Sequence, residues 1–204
     1  MPHVSPPDPL APADAPAHGG VAGVDLASYT SGGYQPGRGP IVRLLWWFTS
    51  LALLESGWFL LTRLKPTVLR CFGAKIGQGV VIKPHVRIKY PWRLTIGDHC
   101  WIGQDVWIDN LADVTIGQNV CVSQGTYFCT GSHDHRRRSF DLITRLIVIE
   151  NGAWLGAKAI LLGGVRVGTN AILSAGSVAN RDVPPATIAA GNPAVVVRER
   201  PPIA

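Results

Sequence analysis

The stretch IGQGVVIKPHVRIKYPWRLTIGDHCWIGQDVWID, residues 76–109, returns an aliphatic residue at a fixed step. Ile76, Ile82 and Ile88 stand six residues apart, and after two extra residues Ile96, Ile102 and Ile108 repeat the spacing. The same frame continues C-terminally. Ile116, Val122 and Phe128 follow a second two-residue slip, and past a longer interruption come Ile149, Leu155, Leu161, Val167 and Leu173. A period of six matches neither a helix of 3.6 residues per turn nor a strand of 2. It matches a solenoid with flat faces, one hexapeptide per face and three faces per coil.

In such a prism the aliphatic residue points inward and fills the axis. Gly follows it at Ile76-Gly77, Ile96-Gly97, Ile102-Gly103, Ile116-Gly117, Leu155-Gly156 and Val167-Gly168, where a tight corner with positive φ is expected. Four positions after the aliphatic residue stands a smaller one, such as Val80, Val106, Ala153 or Ala171. A coil buries its apolar side only by stacking on the next, so several are needed. The coils are expected over residues 73–184.

The flanks read differently. Residues 1–40 begin rich in Pro, Ala and Gly without periodicity and are expected to be disordered or an extended arm. Residues 41–72 hold an apolar helical segment in which Leu44 to Thr62 carries Glu55 as its only charge. Thr49, Ala52 and Ser56, with Glu55 and Thr62 beside them, form a thin polar stripe on that helix, which Pro66 is expected to end. Three placements suit it: packed on protein, lying in a membrane interface through 41–65, or spanning a bilayer. Residues 134–146 contain His135-Arg136-Arg137-Arg138 and no six-step, so they are ejected from the solenoid as a loop. Such loops usually carry function, although the arginine run by itself suits a solvated tip. Residues 185–204 are expected to cap the open end and finish in a short basic tail.

The 204 residues suffice for one well-cored domain with an appendage, and 16% charged residues suit a dense core. The net charge of +6 favours an anionic ligand or membrane surface more than nucleic acid, since no aromatic-basic pattern accompanies it. Cys71, Cys100, Cys121 and Cys129 lack CxxC or zinc spacing, and Cys100 falls on an inward position, which suits a small buried thiol in a reducing compartment. The first residues show no secretory leader, so a cytoplasmic location is expected, peripheral at the inner face of the membrane if the apolar helix touches it.

Chemistry is expected where the last regular coil meets the loop, at Thr130-Gly131-Ser132-His133-Asp134. His133 is fixed by scaffold on one side and open to a cleft on the other, and an imidazole there can take a proton from a hydroxyl. No Ser or Cys stands in a GxSxG elbow, which favours direct attack by the substrate over a covalent intermediate.

Together with the six-residue repeat, several further stretches carry a likeness. They are Phe72-Gly73-Ala74-Lys75-Ile76-Gly77, Lys89-Tyr90-Pro91-Trp92, Trp107-Ile108-Asp109-Asn110-Leu111, Ser123-Gln124-Gly125, Thr130 to Asp134, Ala175 to Val178, and Asp182-Val183-Pro184-Pro185 with Ala190-Gly191-Asn192-Pro193-Ala194. From about Asp25 to Arg200 the chain resembles the hexapeptide-repeat acyltransferases, and within them the sugar O-acetyltransferases of the colanic-acid-biosynthesis type.

That resemblance implies a mainly β fold, a left-handed parallel β-helix, and a homotrimer with active sites between subunits. It implies acetyl-CoA as co-substrate and a sugar hydroxyl as acceptor, and the apolar helix over 41–65 adds the expectation of a lipid-linked glycan. No metal and no nucleic acid partner are expected. His133 becomes the catalytic base, and the N–H of Ala157 the oxyanion donor. Ala157 and Ala175 would admit the pantetheine arm. Asn180, Arg181 and Arg198 would meet the coenzyme's phosphate end. A Lys is usual where Arg181 stands and a Thr where Asn180 stands, so the charge is kept but the hydrogen bonds differ. Trp154 would wall the acceptor pocket, and Asp109 and Asn110 would bond sugar hydroxyls, unless they merely stabilise a turn. Other readings are acyl transfer to a small natural product or an amine, and a metal-binding or scaffold prism. His85, His99, His133 and His135 are too scattered in sequence to favour a metal.

Overall fold

The computed structural model describes residues 23–58, 62 and 64–202. Of the stretch 1–40 expected to be disordered or extended, residues 1–22 lie outside the described residues. The repeat folds as a parallel β-solenoid. Its first coil is β1 (Lys75–Ile76), β2 (Val81–Ile82) and β3 (Arg87–Ile88). The second is β4 (Leu94–Ile96), β5 (Trp101–Ile102) and β6 (Trp107–Asp109), and the third β7 (Val114–Ile116), β8 (Cys121–Val122) and β9 (Tyr127–Cys129). A hairpin of β10 (Gly131–His133) and β11 (Leu142–Thr144) interrupts. The fourth coil is β12 (Ile147–Ile149), β13 (Trp154–Leu155) and β14 (Ile160–Leu162); the fifth is β15 (Arg166–Val167), β16 (Ile172–Leu173) and β17 (Val178–Ala179).

Like-placed strands pair in parallel into three sheets, one per face. The register stacks Ile76, Ile96, Ile116, Ile149 and Val167 in one row. Ile82, Ile102, Val122, Leu155 and Leu173 form the second, and Ile88, Ile108, Phe128, Leu161 and Ala179 the third. Every one of these side chains is buried. A row is water-free only because coils lie above and below it, so the core exists only once the coils have stacked. Cys100, on its inward position, is also buried.

The corners correct the sequence reading of glycine. None of the glycines that follow the aliphatic residues has positive φ. They are small because the next coil is close. A Cβ on Gly97 would lie 2.7–2.8 Å from the backbone of Gly117 and Gln118, and one on Gly103 2.6–2.9 Å from that of Val122, Ser123 and Gln124. Positive φ falls two residues later, at Gly79, His85, His99, Asp105, Asn119 and Lys158 among others. Asn, Asp and His tolerate that region better than most side chains, so the repeat does not demand glycine there.

Before the first coil, α1 (Pro40–Thr49) opens with Pro at its first position and continues as a π-helical turn over Ser50–Leu54. The helical run then breaks, and α2 (Lys65–Cys71) leads to the first coil. Pro66, read from sequence as the stop of a single helix, instead sits in the first turn of α2, where its missing N–H costs nothing. The polar groups face inward. The Ser50 hydroxyl donates to Glu55 Oε1 at 2.8 Å, and the fully buried Lys65 donates to the Lys83 carbonyl at 3.0 Å. Burial pulls the Lys65 ammonium below its ordinary pKa. Trp46 is buried too, its Nε1 donating to the Ile88 carbonyl at 3.0 Å. The outer side of α1 is the apolar one, with Ile41, Leu44, Leu45 and Phe48 exposed. Among the described residues no helix is long and apolar enough to cross a membrane.

The arm over residues 23–39 holds a 3-10 turn at Leu26–Ser28 and a second turn at Gly32 and Gly33, and it straps the loop to the coils. The Asp25 N–H donates to the Arg138 carbonyl at 2.8 Å, Tyr34 Oη to the Leu111 carbonyl at 2.9 Å, and Trp92 Nε1 to the Pro36 carbonyl at 2.7 Å. Burial pushes the Tyr34 phenol up to about 12. A folded pKa above the unfolded value of about 10 contributes stability below pH ~10 that is lost as pH rises toward 12. The melting temperature is therefore expected to fall above pH ~10, and Tyr34→Phe to flatten that fall. Thermal unfolding of both proteins across the alkaline range reads this. Tyr127, also raised chiefly by burial, leaves a residual slope in the variant.

At the other end β18 (Thr187–Gly191) adds a rung beside β16, and β19 (Ala194–Glu199) folds back antiparallel upon it. Arg200 Nη1 donates to the Asn170 carbonyl at 2.9 Å, tying the tail to the fifth coil.

Candidate active site

The loop leaves the solenoid as an antiparallel hairpin in which Gly131, Ser132 and His133 face Thr144, Ile143 and Leu142. His133 ends β10, exposed, with its Nδ1 2.9 Å from the Phe140 carbonyl oxygen. A carbonyl only accepts, so Nδ1 carries the proton, and in the neutral imidazole the lone pair falls on Nε2. That is the tautomer a general base needs. The Phe140 ring lies parallel to the imidazole at 4.5 Å and 7°, and Tyr29 of the arm tilts against it at 5.8 Å. Phe140 itself sits at φ 51°, a conformation costly for an aromatic residue, and it turns both ring and carbonyl toward the same imidazole.

Asp134 does not orient His133. Its carboxylate accepts from Arg136 Nε at 3.1 Å and lies near Arg137, and the hydrogen bond from Arg136 holds it below the usual carboxylate range. Arg137 also pairs with Asp141 at 3.0 Å, and Arg138 approaches Asp25 at 3.9 Å. The arginine run is thus occupied in holding the loop tip together. Phe140 and Tyr29 were not legible as partners of His133, for nothing in a charged loop or a proline-rich arm announces which aromatic ring will stack.

His133 opens into a cavity of about 590 Å³ with Ser132, Arg145, Leu162, Gly163 and Asn180. A second cavity of about 590 Å³ lies on the sheet of β13 and β16, with Ser123, Trp154, Ala157, Ala175 and Arg198 in its walls. Trp154 is fixed there by a bond from Nε1 to Ser123 Oγ at 3.0 Å. The Ala157 carbonyl accepts from the Gly176 N–H, while the Ala157 N–H meets no acceptor among the described residues. The structure therefore gathers Trp154, Ala157, Ala175 and Arg198 into one groove and places Asn180 with His133 instead. Arg181 is exposed and lines neither. No residue lines both cavities.

Asn110 has the geometry of the turn reading. It is fully buried, accepting from the Tyr90 N–H at 2.9 Å and donating to the Tyr90 carbonyl at 2.7 Å. Its carboxamide stabilises the protruding corner, and its burial leaves it out of a sugar's reach. Asp109 pairs with Lys89 at 2.9 Å and lines a third cavity, beneath α1. His85 and His99 stand at separate corners, and among the described residues no three His, Cys, Asp or Glu side chains group as metal ligands.

Comparison with known proteins places this geometry. The family described as "Bacterial transferase hexapeptide (six repeats)" matches residues 147–181, and "Hexapeptide repeat of succinyl-transferase" matches 93–128. The putative colanic acid biosynthesis acetyltransferase WcaF of Escherichia coli is 40% identical over 168 residues, 82% of this chain and 92% of that protein. The galactoside O-acetyltransferase of the same species is 32% identical, over 62% of this chain and 64% of its own. A hexapeptide-repeat acetyltransferase of Vibrio cholerae, solved with acetyl-CoA, superposes with TM-score 0.70 at 31% identity, covering 78% of this chain and 87% of its own.

Proposed function

Because the chain belongs to the hexapeptide-repeat acetyltransferases, we propose that it moves acetyl from acetyl-CoA to a hydroxyl of a sugar or glycan precursor, with His133 as general base. The observation that carries this reading is the Nδ1 bond to the Phe140 carbonyl, which leaves Nε2 free to accept. Nε2 takes the acceptor's hydroxyl proton as the oxygen attacks the thioester carbon. The tetrahedral oxyanion collects on the N–H of Ala157, which has no acceptor of its own among the described residues. Collapse breaks the carbon–sulfur bond, and the departing thiolate receives the proton from the imidazolium. The pantetheine arm lies along Ala157 and Ala175, whose small side chains permit close approach, while Trp154 forms a wall of that same groove. Arg198 supplies a cation for the coenzyme's phosphates, and Arg181 a second from the neighbouring corner.

The separation of the two cavities supports a homotrimer in which the hairpin of one subunit completes the groove of the next. Ring assembly by head-to-tail contacts brings two different faces together at each interface. Mixing two inactive variants tests both claims. His133→Ala destroys the base, and Ala175→Trp blocks the groove. Unfolded and refolded together, they are expected to recover about a quarter of wild-type acceptor-dependent thiol release, because one interface in four pairs an intact base with an intact groove. Mixtures that form trimers yet stay inactive would place the whole site within one chain.

A further inference from the structure

Between residues 38 and 93 the chain carries ten arginines and lysines and a single acid, Glu55; the remainder carries nine cations and twelve acids. The fold sets four of these cations on the surface at one end of the solenoid. Lys75, Lys83, Arg87 and Lys89 are exposed on the first coil, against which α1 packs through Trp46. On the same end α1 presents Ile41, Leu44, Leu45, Phe48 and Leu51 to the outside, spaced three or four apart along one side, and Trp58 is 71% exposed just beyond it.

Behind α1 lies a cavity of about 600 Å³ reached by Arg43, Trp47, Arg87, Lys89 and Trp107. Its carboxylates are already engaged, Glu55 with Ser50 and Asp109 with Lys89. Arg43 Nε is buried there without a hydrogen-bond partner, and the Arg87 guanidinium rests 4.5 Å over the Trp107 ring with no carboxylate paired to it among the described residues. An unmatched buried guanidinium group points to an anion.

We propose that this end of the molecule docks on an anionic phospholipid bilayer. The outer side of α1 enters the interface, the first-coil cations meet the headgroups, and a headgroup phosphate enters the cavity on Arg43 and Arg87. A stripe of Leu, Phe and Trp ringed by Arg and Lys is the composition that binds such surfaces. Charge decides against a second copy as occupant, since it would bring a second set of the same cations to the face, whereas acidic lipid neutralises them.

Flotation of the full chain with vesicles tests this. Wild type is expected to float with phosphatidylcholine and phosphatidylglycerol in equal parts. It binds at least tenfold more weakly to phosphatidylcholine alone, each basic side chain at an acidic surface contributing about fivefold at low salt. Phe48→Glu, on the exposed side, is expected to abolish flotation without lowering the melting temperature. Arg87→Ala should weaken binding only to the acidic vesicles, by about fivefold or more. Wild type that stays unbound on both vesicles would overturn the proposal. So would a Phe48→Glu variant that splits the oligomer in light scattering and leaves flotation intact, since a second copy would then be the occupant.

Discussion

His133→Ala is expected to lower kcat for acceptor-dependent thiol release by about 10²–10⁴, with KM for acetyl-CoA close to wild type. In the proposed mechanism the imidazole acts on the acceptor's proton, a step that ground-state coenzyme binding does not use, so the loss should appear in kcat. The side chain is exposed, and its removal opens no core cavity, so the melting temperature should barely move. A second variant separates the two services of Phe140. Phe140→Gly suits the backbone at φ 51° and keeps the carbonyl that fixes the tautomer, but deletes the ring stacked at 4.5 Å. It is expected to cost only about fivefold, the worth of one aromatic contact. A His133→Ala enzyme with near-normal kcat would sink the general-base assignment. A Phe140→Gly enzyme as dead as His133→Ala would shift the weight from carbonyl to ring.

The coils were legible because each inward position has the same environment, so Ile82, Ile102 and Val122 announce one another. Elements used once carry no such redundancy. The break after Leu54 and the restart at α2 were hidden inside an unbroken apolar run, and Pro66 reads equally as a stop or as a first-turn residue. Lys65 could not be read as buried, for its partner is a carbonyl of the first coil, reached only after folding. The same holds at the site. His133 stood out as the imidazole at the coil-to-loop junction, yet its orienting group is a backbone oxygen seven residues on, and every residue type has one. Asn110 and Asp109 are adjacent in sequence and diverge in role because one side chain turns into the corner.

Gly97→Ala is expected to destabilise the protein by about 3 kcal/mol or more, far beyond the effect of Gly176→Ala, which should cost about 1 kcal/mol. The two glycines separate two physical reasons for the same residue. Gly176 adopts φ 69° with nothing within 4 Å of an added Cβ, so its methyl meets only the intrinsic penalty of the left-handed region. Gly97 has no positive φ, yet its Cβ would press to 2.7–2.8 Å on the carbonyl group of Gly117 and the nitrogen of Gln118. Those are backbone atoms of the next coil, in the strand-end bond where Gly97 N–H donates to the Ile116 carbonyl at 2.8 Å, and no rotamer can move them aside. Relief requires parting two coils, which loosens the rows of Ile96 and Ile116 on either side. Urea unfolding of both variants decides the matter. The opposite order, with Gly176→Ala the more damaging, would restore backbone freedom as the reason for glycine after the aliphatic residue. The expected order makes the closeness of successive coils that reason.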